Sequence, residues 1–351
     1  MNNGLDQTGG STRGSGLDVS HSNNFNLLRL FLASLVLLSH SFELIDGDRS
    51  REPLTRIFHT ISFGDLAVDG FFILSGYLIV GSWLNRPRPL EFLKHRVLRI
   101  FPGFLACALA CVLIVGRLGS NDQYFAEINY YKLLTRLHKL HIEGLPLVFV
   151  GTHYADVNGP VWTLNPEFQC YLLVLFFGLL GIIRRPWLYV ALGATLAAIY
   201  ILHFSGVSIR IDRGKDIYQD IVRFMMVFIA GGAFQILTIG KQPNLAVVLA
   251  CIVVLTLAMF DRRFAEPALA TCGGYLILAM GYVRSPFLAR FRQLPDASYG
   301  TYLYGWPIQK LLLFYFPLLT PLALFGIALP MAWVAGTISW YLIERPALTL
   351  R

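Results

Sequence analysis

The sequence predicts an all-α integral membrane protein, a polytopic bundle of about ten transmembrane helices. Two observations carry that reading. Only 14% of the 351 residues are charged, against roughly 25% in a soluble domain. Apolar residues make up 55% of the chain and mean hydropathy is +0.57. They gather in runs approaching the ~20 residues a helix needs to cross a bilayer.

Taken in order, residues 1–24 are rich in Gly, Ser, Asn and Thr. They have almost nothing to bury and read as a disordered cytoplasmic tail. No basic segment leads into a short apolar core with a cleavage site, so the next run reads as a retained span rather than a signal peptide. Apolar runs then lie near 26–45, 63–83, 100–116, 168–183, 187–204, 219–238, 244–260, 265–283, 299–317 and 321–343. Together they define a membrane domain over 25–346, with no fused soluble domain expected. The longest connection, about 117–167, starts polar and ends in GPVWTLNPE. A loop of that length in a compact protein is usually functional.

The densest basic segment is RPRPLEFLKHRVLR, with Arg86, Arg88, Lys94, Arg96 and Arg99. Lys and Arg concentrate in cytoplasmic loops, so 84–99 is placed in the cytoplasm. Ten spans then put both termini there as well, in a multi-pass inner-membrane protein. The net charge of +8 fits basic loops facing anionic lipid and does not require nucleic acid. The five cysteines lie in or beside apolar runs, odd in number and without metal or disulfide spacing. They read as packing residues, and no metal site is expected.

The first run, RLFLASLVLLSH, carries Arg29 and His40 at its ends. Eleven helical steps make roughly 1100°, close to three turns, so the two share a face about 16 Å apart along the axis. Ionisable groups inside a span are functional candidates by default. A snorkelling arginine and an interfacial histidine are the bland alternative. Later segments add further candidates. Ser75 and Gly76 in the second span are small enough for close helix approach, and Asp69 is a boundary carboxylate. Arg96 and Arg99, three apart, share a helical face and can fork onto phosphate oxygens, of a ligand or of lipid. Glu167 follows Pro166 at a helix start, where the dipole favours an acid, on the side where His40 is placed. Trp162 and Tyr171 flank it as interfacial aromatics. Arg223 is a buried cation of open role. Pro307 frees a backbone carbonyl inside a span and suggests a kink. Glu344 and Arg345 read as an interfacial pair.

In this order the segments resemble the acyltransferase-3 family of integral membrane proteins. Arg29 and His40 match its arginine and histidine separated by ten residues. Phe71, Phe72, Leu74, Ser75, Gly76 and Tyr77 match its FFxLSGF-type segment, with Tyr for the usual Phe. Arg96, Arg99, Ile100 and Pro102 match RxxRIxP. Trp162, Leu164, Glu167 and Tyr171 match WSLxxExxxY, with Thr163 for Ser. Ser298, Tyr299, Tyr302, Leu303, Pro307 and Ile308 match SYxxYLxHxPI, and Glu344 and Pro346 match the terminal ExP. Gly305 stands where many members have histidine, so a role for that second histidine is absent or moved.

The resemblance implies transfer of an acyl group, commonly acetyl from acetyl-CoA, to a hydroxyl of a cell-surface or lipid-linked glycan. Acyl-CoA is then a substrate and no cofactor is permanently bound. The partners are the donor, a carbohydrate acceptor and membrane lipid, with oligomeric state left open. On that reading His40 is the general base, with a covalent acyl-His40 left open, and Glu167 orients it or binds the sugar. Arg29, Arg96 and Arg99 bind the donor. Trp162, Tyr171, Arg223, Ser75 and Tyr299 hold the acceptor or support the site. A different class stays open, a transporter or flippase of a lipid-linked saccharide or acyl donor. Paired broken helices in inverted repeats would mark one, and none is found.

Overall fold

A computed structural model of the chain describes residues 23–206, 215–291 and 294–350. The predicted tail lies almost wholly outside the described residues. Every described element is helical, as lipid requires of a chain without a closed barrel. The ten apolar runs become α1 (Phe25–Asp46), α2 (Phe63–Asn85), α3 (Pro89–Leu118), α4 (Leu164–Leu179), α5 (Pro186–Phe204), α6 (Lys215–Ile236), α7 (Leu245–Ala258), α8 (Arg262–Tyr282), α9 (Ser298–Tyr315) and α10 (Pro321–Thr349).

Six of these, α1, α2, α3, α5, α8 and α10, are long and apolar enough to cross a membrane. Among the described residues, length and composition mark six candidate spans, where the sequence reading placed about ten. Three of the other four fall short for physical reasons. α4 and α7 have 16 and 14 residues, fewer than a perpendicular crossing needs. α9 carries Gln309 and Lys310 among further polar residues.

The basic segment is not a loop. Pro89 opens α3, a position where its missing N–H costs nothing, and the helix runs on through Arg96 and Arg99. α2 starts with a capping box, in which the Ser62 side chain accepts from the Asp65 N–H and Asp65 accepts from the Ser62 N–H at 3.0 Å. This fixes the Asp65 carboxylate at the head of the helix.

The most extensive interhelical contact joins α2 and α6. A Cβ on Gly76 would come within 1.9 Å of the Phe228 carbonyl oxygen, and one on Gly231 within 2.0 Å of that of Ile73. The two backbones touch where both side chains are absent. α9 packs on α10 and on α1. It runs unbroken through Pro307, which has no N–H for the Leu303 carbonyl. The Asn158 amide takes that place, donating to Leu303 at 2.9 Å. The freed carbonyl thus anchors the end of the long connection against α9.

Candidate active site

Two cavities lie end to end inside the bundle. The larger has a volume of about 800 Å³. It is lined by Arg29 of α1, Ser75 of α2, Arg96 and Arg99 of α3, Glu167 and Tyr171 of α4, and Asp296, Tyr299 and Arg345. The smaller, about 250 Å³, is lined by Val36 and His40 of α1, Arg49, Asp65, Trp162 and Arg223. On α1 the order along the helix is Arg29, then Val36 and His40. On α2 it is Ser82 and Ser75 in the large cavity, then Asp65 in the small one. The cavities are therefore stacked along the bundle axis, as the spacing of Arg29 and His40 anticipates.

The large cavity is rich in cations, but they are not equivalent. Asp296, in the turn before α9, accepts from Arg99 at 2.8 Å and from Arg29 at 3.2 Å. Burial opposes ionisation of Asp296, but the two guanidiniums and Ser298 hold its carboxyl below the usual range. Arg99 also faces buried Glu344 at 3.8 Å, and Glu344 accepts from Ser339 at 2.9 Å. The expected Glu344–Arg345 interfacial pair is thus corrected. Neighbours in a helix point in different directions, and Arg345 instead stands over Tyr341 with a face on the cavity. Arg96 sits over the rings of Phe92 and Tyr171. Tyr299 donates to the Ile100 carbonyl at 2.8 Å.

Glu167 belongs to this cavity. It accepts from Ser75 at 3.1 Å and from Tyr171. It lines no part of the cavity that holds His40, so the expectation that it stands on the same side as His40, able to orient the imidazole, is corrected. α4 enters the bundle at Leu164, and Glu167 is already a turn deeper, level with the middle of α2. Tyr171 follows it, so Trp162 and Tyr171 do not form one platform.

The smaller cavity has His40 as its imidazole, 6% exposed, with Trp306 edge-on at 4.9 Å. Trp306 donates to the Asp156 carbonyl at 3.4 Å, and Lys310 one turn on donates to Thr152 at 2.5 Å and to the Tyr154 carbonyl. Gln309 donates to the Leu37 carbonyl at 2.8 Å. These bonds set α9 and the long connection rigidly around His40. Arg223 is gripped by Asp69 at 3.0 Å, Asp65 at 3.1 Å and Glu266 at 3.3 Å. Arg49 reaches in from the loop after α1, paired with Glu43 at 2.8 Å and Asp65 at 3.6 Å. Trp162 is 41% exposed and lies at 5.6 Å from the Phe224 ring.

Sequence reasoning missed Asp296 and Arg49, read Arg345 only as half of an interfacial pair, and named Tyr302 without placing it between the two cavities. Tyr302 lay in one quoted motif and Arg345 inside another. The others sit in loops, where no periodicity marks them. Gly305, at the position of the second family histidine, packs against Leu37, whose Cδ1 would lie 2.5 Å from an added Cβ.

The whole arrangement offers a cationic chamber of a size for a large anionic ligand. Beyond it lies a smaller chamber lined by the His40 imidazole. The chain also resembles known proteins. A model of the acyltransferase domain family matches residues 22–341. Over 157 residues the chain is 32% identical to a protein of Shigella phage Sf6 described as an O-acetyl transferase. That stretch is 43% of this chain and 44% of the phage protein, less than half its length. It is 29% identical over 378 aligned positions to nodulation protein 10 of Rhizobium leguminosarum bv. viciae, covering 94% of each. No solved structure matches the chain.

Proposed function

The chain belongs to the acyltransferase family whose domain model spans residues 22–341, a multi-pass membrane O-acyltransferase, and on that premise we propose a donor, an acceptor and a path. The donor is cytoplasmic acyl-CoA, acetyl-CoA in the simplest case. The acceptor is a hydroxyl of a cell-surface or lipid-linked glycan. The protein sits in the inner membrane with 84–99 and both termini on the cytoplasmic side, so that the large cavity opens towards the donor.

The observation that carries this reading is the stacking of the cationic cavity on the His40 cavity. Arg96, with Arg29 and Arg345 at the mouth, holds donor phosphates. The pantetheine arm lies past Ser75 and Glu167, and the thioester reaches His40. His40 takes the proton of the acceptor hydroxyl while its oxygen attacks the thioester carbonyl. The C–O bond forms, the C–S bond breaks, and the leaving thiolate is protonated from the imidazolium. His40 ends as it began. Trp162 offers a face to the sugar, and Arg223, locked by three carboxylates, shapes the wall.

The test is acyl transfer by the purified protein in lipid, with radiolabelled acetyl-CoA and an envelope glycan extract. We expect base-labile label on the glycan, and a loss of 10²–10⁴-fold in His40→Ala, the usual cost of removing a general base. Wild-type protein that moves saccharide across the bilayer without transferring label would instead make it a transporter.

A further inference from the structure

Val68, Thr163 and Tyr302 line both cavities. The wall between the donor and the His40 chambers is therefore a single layer of side chains. Tyr302 is its central member. Its hydroxyl donates to the Pro160 carbonyl at 2.7 Å and lies 2.6 Å from the Thr163 hydroxyl. Its ring meets Phe71 edge-on at 6.3 Å. These bonds tie α9 to the 3-10 turn Gly159–Thr163 that leads into α4. The wall is thus built from three elements and closed by one phenol, which is buried along with its partner Thr163.

We propose that Tyr302 is the specificity-determining residue of the transfer, limiting the acyl groups that reach His40 to short ones. This rests on the acyltransferase reading above. A thioester passing from the large cavity to His40 has to cross this wall at Tyr302. On the far side, about 250 Å³ takes both the acyl group and the acceptor hydroxyl. Each added methylene meets the phenol ring, Val68 and then the far wall. The ring sets the width of the passage. The bonds to Pro160 and Thr163 hold the ring across it, so the hydroxyl controls how readily the ring swings aside. In an apolar pocket one methylene is worth about 10–200-fold in kcat/KM.

The experiment measures kcat/KM for acetyl-, butyryl- and hexanoyl-CoA with the full chain in lipid and one glycan acceptor. Wild type is expected to favour acetyl over hexanoyl by about 100-fold or more. Tyr302→Ala should cut that ratio at least about tenfold, chiefly by raising hexanoyl transfer. Tyr302→Phe, which keeps the ring and loses its bonds, should fall between the two. Val68→Ala thins the wall from α2 and gives the same direction if Tyr302→Ala does not fold. An unchanged ratio in folded variants that still transfer acetyl overturns the proposal and leaves the acyltransferase reading intact. A wild type that already uses hexanoyl-CoA as well as acetyl-CoA overturns it too. A wild type that transfers from none of the three overturns both.

Discussion

Arg96 and Arg99, three residues apart on α3, meet different surroundings. Arg99 is held between Asp296 and Glu344, whereas Arg96 lies over two aromatic rings. The two should respond differently to the same change. Arg96→Gln removes a charged donor to phosphate, worth about 1.5–3 kcal/mol. KM for acyl-CoA should rise about tenfold or more with kcat little altered. Arg99→Gln leaves Glu344 buried with Ser339 alone and weakens the hold on Asp296. Breaking a buried pair costs about 3–5 kcal/mol, so a drop in thermal stability should dominate, read by unfolding in detergent micelles. A stable Arg99→Gln protein with only a raised KM would return Arg99 to donor binding.

Among the elements, α2 does the most to organise the site. Its capping box aims Asp65 at Arg49 and Arg223, Ser75 meets Glu167, and Gly76 lies on the backbone of α6. Gly76→Ala places a methyl group against a carbonyl oxygen that belongs to a packed helix and cannot swing away. Overpacking of this kind costs about 1–3 kcal/mol. The expected result is a lower unfolding temperature together with reduced transfer, since separating α2 from α6 also shifts Arg223. Unchanged stability would mean that the two helices slide apart without loss.

For the whole molecule, the path from donor to acceptor requires a fixed orientation in the membrane. With the large cavity on the cytoplasmic side, the start of α3 faces the cytoplasm and the long connection after it faces outside. Asn85 and Asn121 are both exposed, near the two ends of α3. Single cysteines at these positions in a cysteine-free variant are expected to react differently with an impermeant thiol reagent on intact cells. Position 121 should label and position 85 should not. The reverse pattern would place His40 on the cytoplasmic side and remove the transmembrane path.

The sequence by itself determined that the chain enters lipid, that it does so as helices, and that Arg29 and His40 share one face of α1. These are local properties. Hydropathy follows from composition, backbone satisfaction in lipid leaves helix as the local solution, and a fixed turn per residue sets which side chains align. The family motifs also picked out Arg96, Glu167 and Tyr299, each within one stretch of helix, and the structure finds all three on the large cavity. Tertiary structure alone decided which groups meet. Asp296 joins Arg29 from 267 residues away, Glu167 pairs with Ser75 rather than approaching His40, and Tyr302 closes a wall with Thr163 from another element. Apolar periodicity tells a helix to face lipid or protein and carries no information about which helix lies next to it. The partner of each buried polar group is set by that neighbour order, and with it the division of one interior into two chambers.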